Sequence, residues 1–145
     1  MATLDIKANV ELTGEAMSFV AAELVRHNFP ANLRPEILIA VEEIFVNIAS
    51  YAYEPAEEGD VRLSVAVDGK AVDGKAVIRF EDSGQPFNPL ERPDPDLDVP
   101  IMERKIGGLG IHFVKNMMDD VEYGYVNEKN ILTISKGVSK QDRVM

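Results

Sequence analysis

The chain has 145 residues and a hydrophobic fraction of 46%, which suits one core in one domain spanning residues 1–145. Its 25 acidic and 15 basic side chains leave a net charge of −10, which argues against direct nucleic-acid binding. No apolar run reaches membrane-spanning length, so no membrane partner is expected. There is no cysteine, which excludes disulfides and thiolate metal sites; with no basic leader at Met1–Asp5, this predicts a cytoplasmic protein.

Residues 3–8 alternate apolar and polar, which predicts a first strand. Ala16, Phe19, Val20 and Leu24 recur at helical spacing, so residues 12–28 read as an amphipathic helix ended before Pro30. Residues 33–53 read as a second helix, with Pro35 in its first turn, where the missing N–H is harmless. Val61, Leu63, Val65 and Val67 share one face of a strand over 60–67, and Asp68-Gly69 signals a turn. A tandem Asp-Gly-Lys-Ala-Val near-repeat follows and lengthens the hairpin loop. Residues 77–81 form the next strand.

Residues 84–105 hold Pro86, Pro89, Pro93, Pro95 and Pro100 among Asp94, Asp96 and Asp98, so they continue neither a helix nor a central strand. A loop of this length in a compact domain points to function or disorder. Residues 111–118 read as a helix with Ile111, Val114 and Met118 inward. Residues 121–126 and 130–135 read as a hairpin across Asn127-Glu128-Lys129. The order β-α-α-β-β-loop-α-β-β predicts an α+β, two-layer sandwich, with helices on one face of a mixed, mainly antiparallel sheet.

Three motifs carry candidate chemistry. Glu43 and Asn47 lie four residues apart on one helix face, with Ile37, Ile39, Ala40, Ile44 and Ile48 around them. Asn is disfavoured inside a helix because its amide competes for backbone groups, so Asn47 needs a partner. A divalent cation that also touches triphosphate oxygens would supply one, and Glu43 would then polarise a hydroxyl or water. Asp82-Ser83-Gly84 closes a strand; Asp82 suits an exocyclic amine such as adenine N6, and Gly84 permits close approach. Gly107-Gly108-Leu109-Gly110 opens a helix and suits a phosphate cradle, with charge from Arg104 and Lys105. It is neither a Walker motif nor a dinucleotide fingerprint. His27 and His112 lack ligand spacing and read as surface or packing residues, and Met117-Met118 reads as core.

The order Glu-x-x-x-Asn, Asp-x-Gly, proline-rich segment, Gly-Gly-x-Gly resembles the GHKL (histidine-kinase-like, Bergerat-fold) ATPase superfamily over about residues 4–136. The nearest likeness is to the bacterial anti-sigma-factor serine/threonine kinases. The resemblance implies ATP and Mg²⁺ as ligands, with Asn47 on the metal and Glu43 activating the acceptor hydroxyl. It implies that Asp82 and Gly84 meet adenine, and that Gly107, Gly108, Leu109 and Gly110 meet phosphate beside Arg104 and Lys105. Residues 85–106 would be a flexible ATP lid. The implied activity is transfer of the γ-phosphate to a serine or threonine of a STAS-domain anti-anti-sigma protein. A sigma factor as second partner, and homodimerisation, are also implied. The alternative is an ATP-dependent anti-sigma or partner-binding module with little kinase activity; the acidic lid and net charge favour it, because they suit a basic partner surface. The chain departs from the superfamily at Pro86, where a second glycine is common, and at Tyr51, where close relatives often carry His.

Overall fold

Alternation in the strands sorts them onto one core. In the computed structural model, which describes residues 1–54, 57, 59–68, 74–91 and 108–139, five strands form one sheet. They are β1 (Ala2–Lys7), β2 (Asp60–Asp68), β3 (Lys75–Asp82), β4 (Asp120–Val126) and β5 (Lys129–Gly137). Their order is β1-β2-β3-β5-β4, and all four pairings are antiparallel. The parallel component that a mixed sheet would need is absent among the described residues. Register aligns side chains of one parity into rows across the sheet, mostly inward, with Tyr125 exposed at the β4 edge. One row is Leu4–Leu63–Phe80–Leu132–Tyr123; the next is Ile6–Val61–Asp82–Asn130–Tyr125. The first row is apolar apart from its Tyr hydroxyl. The second carries a carboxylate and an amide into the protein.

Three helices cover that inner face: α1 (Thr13–Arg26), α2 (Arg34–Tyr51) and α3 (Gly108–Met117). α1 buries Ala16, Val20 and Leu24, one stripe at helical spacing. It ends where Asn28 takes a left-handed φ of 57° and Phe29 N–H donates to Leu24 O at 2.9 Å. This left-handed exit satisfies orphan carbonyls of the last turn. α2 buries Ile37, Ala40, Val41, Ile44, Phe45 and Ile48, a far wider arc, because it lies between α1 and α3 and over the sheet. Lys136 pins the far end of the helical layer: its Nζ donates to Met117 O at 2.8 Å and sits 3.2 Å from Glu36. The outer sheet face is charged, with Arg62 held on Asp5 at 2.8 Å.

Observed ends differ from the expected ones by small steps. α3 begins at Gly108 rather than Ile111, so two glycines lie inside its first turn. β3 starts at Lys75, inside the near-repeat; residues 69–73 of that repeat lie outside the described residues. The β4–β5 loop has two residues, Asn127 and Glu128, with φ of 53° and 61°. Lys129 pairs with Val126 instead of joining the loop. Two successive positive φ values match the right-handed twist of flanking strands, as in a type I′ turn.

Candidate functional site

α2 is the spine of the site. Asn47 is 2% exposed, and its Nδ2 donates to Glu43 O at 2.6 Å, one turn back. Half of the partner expected for this amide is thus supplied by its own helix. An amide binds a cation through its oxygen, so Oδ1 is the atom of Asn47 suited to one. Glu43 is half-buried, and burial pushes its carboxyl above the usual range, with the neighbouring Glu42 charge adding to the rise. Of the expected apolar surround, Ile37, Ala40, Ile44 and Ile48 are buried. Ile39 is not: it is 42% exposed and lines a recess with Glu43, Gly110, His112, Phe113 and Asn116. Its place on the helix turns it away from the sheet, which sequence spacing alone does not separate from the buried stripe.

Each of the other two motifs touches this helix through a glycine. A Cβ at position 110 would overlap the Glu43 carboxylate, so α3 opens directly against the candidate base. A Cβ at position 84 would overlap the backbone carbonyl of Ala52, at the C-terminal end of α2. Neither glycine has a positive φ; both are needed for contact, not for backbone freedom. The close approach at Gly84 is therefore made by α2 itself. Gly108 and Leu109 lie in the first turn of α3. Arg104, Lys105 and Gly107 lie outside the described residues.

Asp82 ends β3 on the inner face and is 3% exposed. Its Oδ1 accepts from Gly84 N–H and from Asn130 Nδ2, each at 2.9 Å. Burial raises its carboxyl pKa, and these two donors pull it partly back. Asn130 did not figure among the sequence candidates. It opens β5 in the same inward parity as Leu132 and Ile134, and a buried amide at such a position is the signal that marks it.

Gln85 and Phe87 tie the segment after Gly84 to α2 and to β5. Gln85 N–H donates to Ala52 O and Gln85 Nε2 to Tyr51 O, both at 2.9 Å. Phe87 N–H donates to Asn130 Oδ1 at 3.0 Å, and its ring meets Tyr51 edge-on at 5.4 Å. Of the expected lid over residues 85–106, positions 85–91 are described, with Gln85 and Phe87 bonded to α2 and β5; residues 92–106 lie outside the described residues.

His112 is partly buried in the recess beside Glu43, with Asn116 Nδ2 3.3 Å from its Nε2. His27 sits at the end of α1, 4.0 Å from Glu23.

The family model described as a histidine kinase-like ATPase domain matches residues 6–136, which take in α2, Asp82 and α3. The chain belongs to the histidine kinase-like ATPase domain family. This histidine kinase-like ATPase domain is similar to the serine-protein kinase RsbW of Listeria monocytogenes serovar 1/2a, at 25% identity over 94% of each chain. It is also similar to the anti-sigma F factor of Anoxybacillus flavithermus, at 30% identity over 72% of this chain and 70% of that protein. A solved structure of the Acinetobacter baumannii histidine kinase AdeS matches 95% of this chain and 69% of that one, with a TM-score of 0.45 and 14% identity. No described helix of the domain is long and apolar enough to cross a membrane.

The donor set of the domain fits one kind of metal site. No cluster of three or more His, Cys, Asp or Glu residues that could hold an ion occurs among the described residues. A single amide oxygen at Asn47 fits magnesium bound mainly by phosphates and water, and does not fit an all-protein cage.

Proposed function

We propose that this domain binds ATP with Mg²⁺ and transfers the γ-phosphate to a serine or threonine of a STAS-domain antagonist, in a partner-switching system with a sigma factor. The observation that carries the reading is an order along α2. Ala52 meets the Asp82–Gly84 turn, Asn47 comes next, and Glu43 meets Gly110. Ala52 and Glu43 are nine positions apart, about 13 Å of helix. Base, triphosphate and acceptor follow one another in the same order along an extended nucleotide.

The roles follow from the chemistry of each group. Asp82 accepts from the adenine N6 amine. Backbone N–H groups in the first turn of α3, at Gly108, Leu109 and Gly110, face phosphate oxygens at a helix N-terminus. Asn47 Oδ1 would hold Mg²⁺, which when bound would supply positive charge to offset that of the phosphates. Glu43 takes the proton of the acceptor hydroxyl as its oxygen bonds to the γ-phosphorus; the bond to the bridging oxygen breaks and ADP departs. A carboxyl raised by burial is a better base than an ordinary one. Similarity to proteins named serine-protein kinase and anti-sigma F factor supports the reaction class and the partners.

The test is phosphate transfer from γ-labelled ATP to STAS-domain proteins of the source organism, for wild type and Glu43→Gln. Glu43→Gln should lose transfer by roughly 100-fold or more while ATP still binds in calorimetry. Equal transfer by the variant would remove Glu43 from the mechanism. ATP binding without transfer by the wild type would select the partner-binding module instead.

A further inference from the structure

Asn130 is 4% exposed and uses its whole hydrogen-bonding capacity. Nδ2 donates to Asp82 Oδ1 at 2.9 Å and to Gln85 O at 2.8 Å. Oδ1 accepts from Phe87 N–H at 3.0 Å and from the Tyr123 hydroxyl. A side-chain amide offers two N–H donors and two acceptor sites, and here all four are taken. The amide therefore cannot flip. With Phe87 N–H and Tyr123 O–H both donating to one end, the other end must present N–H to Asp82. Oδ1 of Asp82 is in turn committed as an acceptor to two donors, Asn130 and Gly84. Among the described residues no further hydrogen bond falls on this carboxylate, so Oδ2 is the oxygen left to meet a ligand.

We propose that Asn130 is a positioning residue that sets base selectivity: it holds Asp82 as an acceptor toward the base and ties that carboxylate to the root of residues 85–91. The inference rests on the ATP reading above and deepens it. An acceptor held in this way pairs with the amine at C6 of adenine. Guanine presents a carbonyl oxygen there, and two acceptors repel. A buried polar site built for one pattern rejects the other strongly, because the mismatch leaves groups unpaired. The same amide grips Gln85 O and Phe87 N–H, so a base that displaces Asp82 also strains the anchored segment.

The experiment compares ATP and GTP affinities by calorimetry with Mg²⁺, on the full chain, for wild type, Asn130→Leu and Tyr123→Phe, with thermal melts alongside. Asn130→Leu keeps the branched shape, though with more bulk, and removes the donor to Asp82. It should weaken ATP about tenfold or more and leave GTP little changed, so that the ratio of the two collapses. Tyr123→Phe disturbs the same cluster but leaves both Nδ2 bonds in place, and should keep the wild-type ratio. Should Asn130→Leu fail to fold, Asn130→Ser carries the same test, because a short hydroxyl cannot reach all four partners. A folded Asn130 variant with the wild-type ratio overturns the proposal. So does an equal fall in both Asn130→Leu and Tyr123→Phe, which would mark a purely structural role. A wild type that binds neither nucleotide overturns the ATP reading itself, and this inference with it.

Discussion

Asp82 is a carboxylate buried for use rather than for stability. Its pKa is raised first by burial, against the pull of Asn130 and Gly84. A folded-state value above the unfolded one means that the unfolded chain releases its proton first. The contribution to stability is therefore full below the unfolded pKa and is lost as pH rises through the elevated folded pKa. Asp82→Asn has no such titration. Its Oδ1 would still accept from Asn130 and Gly84, and its new N–H would face the ligand. We expect the wild-type melting temperature to fall relative to Asp82→Asn as pH climbs from the ordinary aspartate range through the raised one, while the variant loses ATP binding. Parallel stability profiles for the two proteins would refute the burial argument. Asn47 shows the same trade: an amide poor for helix propensity is kept in mid-helix, with one N–H repaid by Glu43 O.

At the scale of elements, two glycines dock a turn and a helix onto α2, but against different kinds of atom. Gly84 abuts the backbone carbonyl of Ala52, which cannot swing aside. Gly84→Ala must shift either the end of α2 or the turn, at a cost of about 1–3 kcal/mol. Gly110 abuts the end of the Glu43 side chain, which can rotate. Alanine also gains about 0.8–1 kcal/mol of helix propensity over glycine, so Gly110→Ala should be near neutral in stability. It should nonetheless depress phosphate transfer, because it moves the candidate base. Urea melts and transfer assays on both variants would separate the two effects; a large stability loss for Gly110→Ala would contradict the mobile-carboxylate picture.

At the scale of the molecule, a five-stranded sheet and three helices hold the middle and the C-terminal end of α2 against two glycine-bearing segments. Binding energy gathered there must appear in global stability, because the unfolded chain has no such site. ATP with Mg²⁺ at 100 times its dissociation constant should stabilise the fold by about 2.7 kcal/mol, read as a rise in melting temperature that disappears when Mg²⁺ is chelated. An unchanged melt at that ratio would contradict binding to the native state. A net charge of −10 repels a bare triphosphate, so a dependence of binding on magnesium is expected.

Periodicity, glycine and proline punctuation and turn chemistry made the elements legible: Val61, Leu63 and Val65 alternate because one sheet face is buried, and Pro35 opens α2 because its missing N–H costs nothing there. Local spacing was also enough to place Glu43 and Asn47 on one helix face, since four residues are one turn. Tertiary packing alone decided the rest. Only the neighbours of α2 distinguish exposed Ile39 from buried Ile37, because a helix covered on several sides has no single apolar stripe to read. Only the antiparallel register of β3 and β5 sets Asn130 beside Asp82, residues 48 positions apart, which no short window can join. Residues 85–87 look like free loop by composition, yet Gln85 and Phe87 bond to Tyr51, Ala52 and Asn130. Such bonds exist only once distant parts of the chain have met.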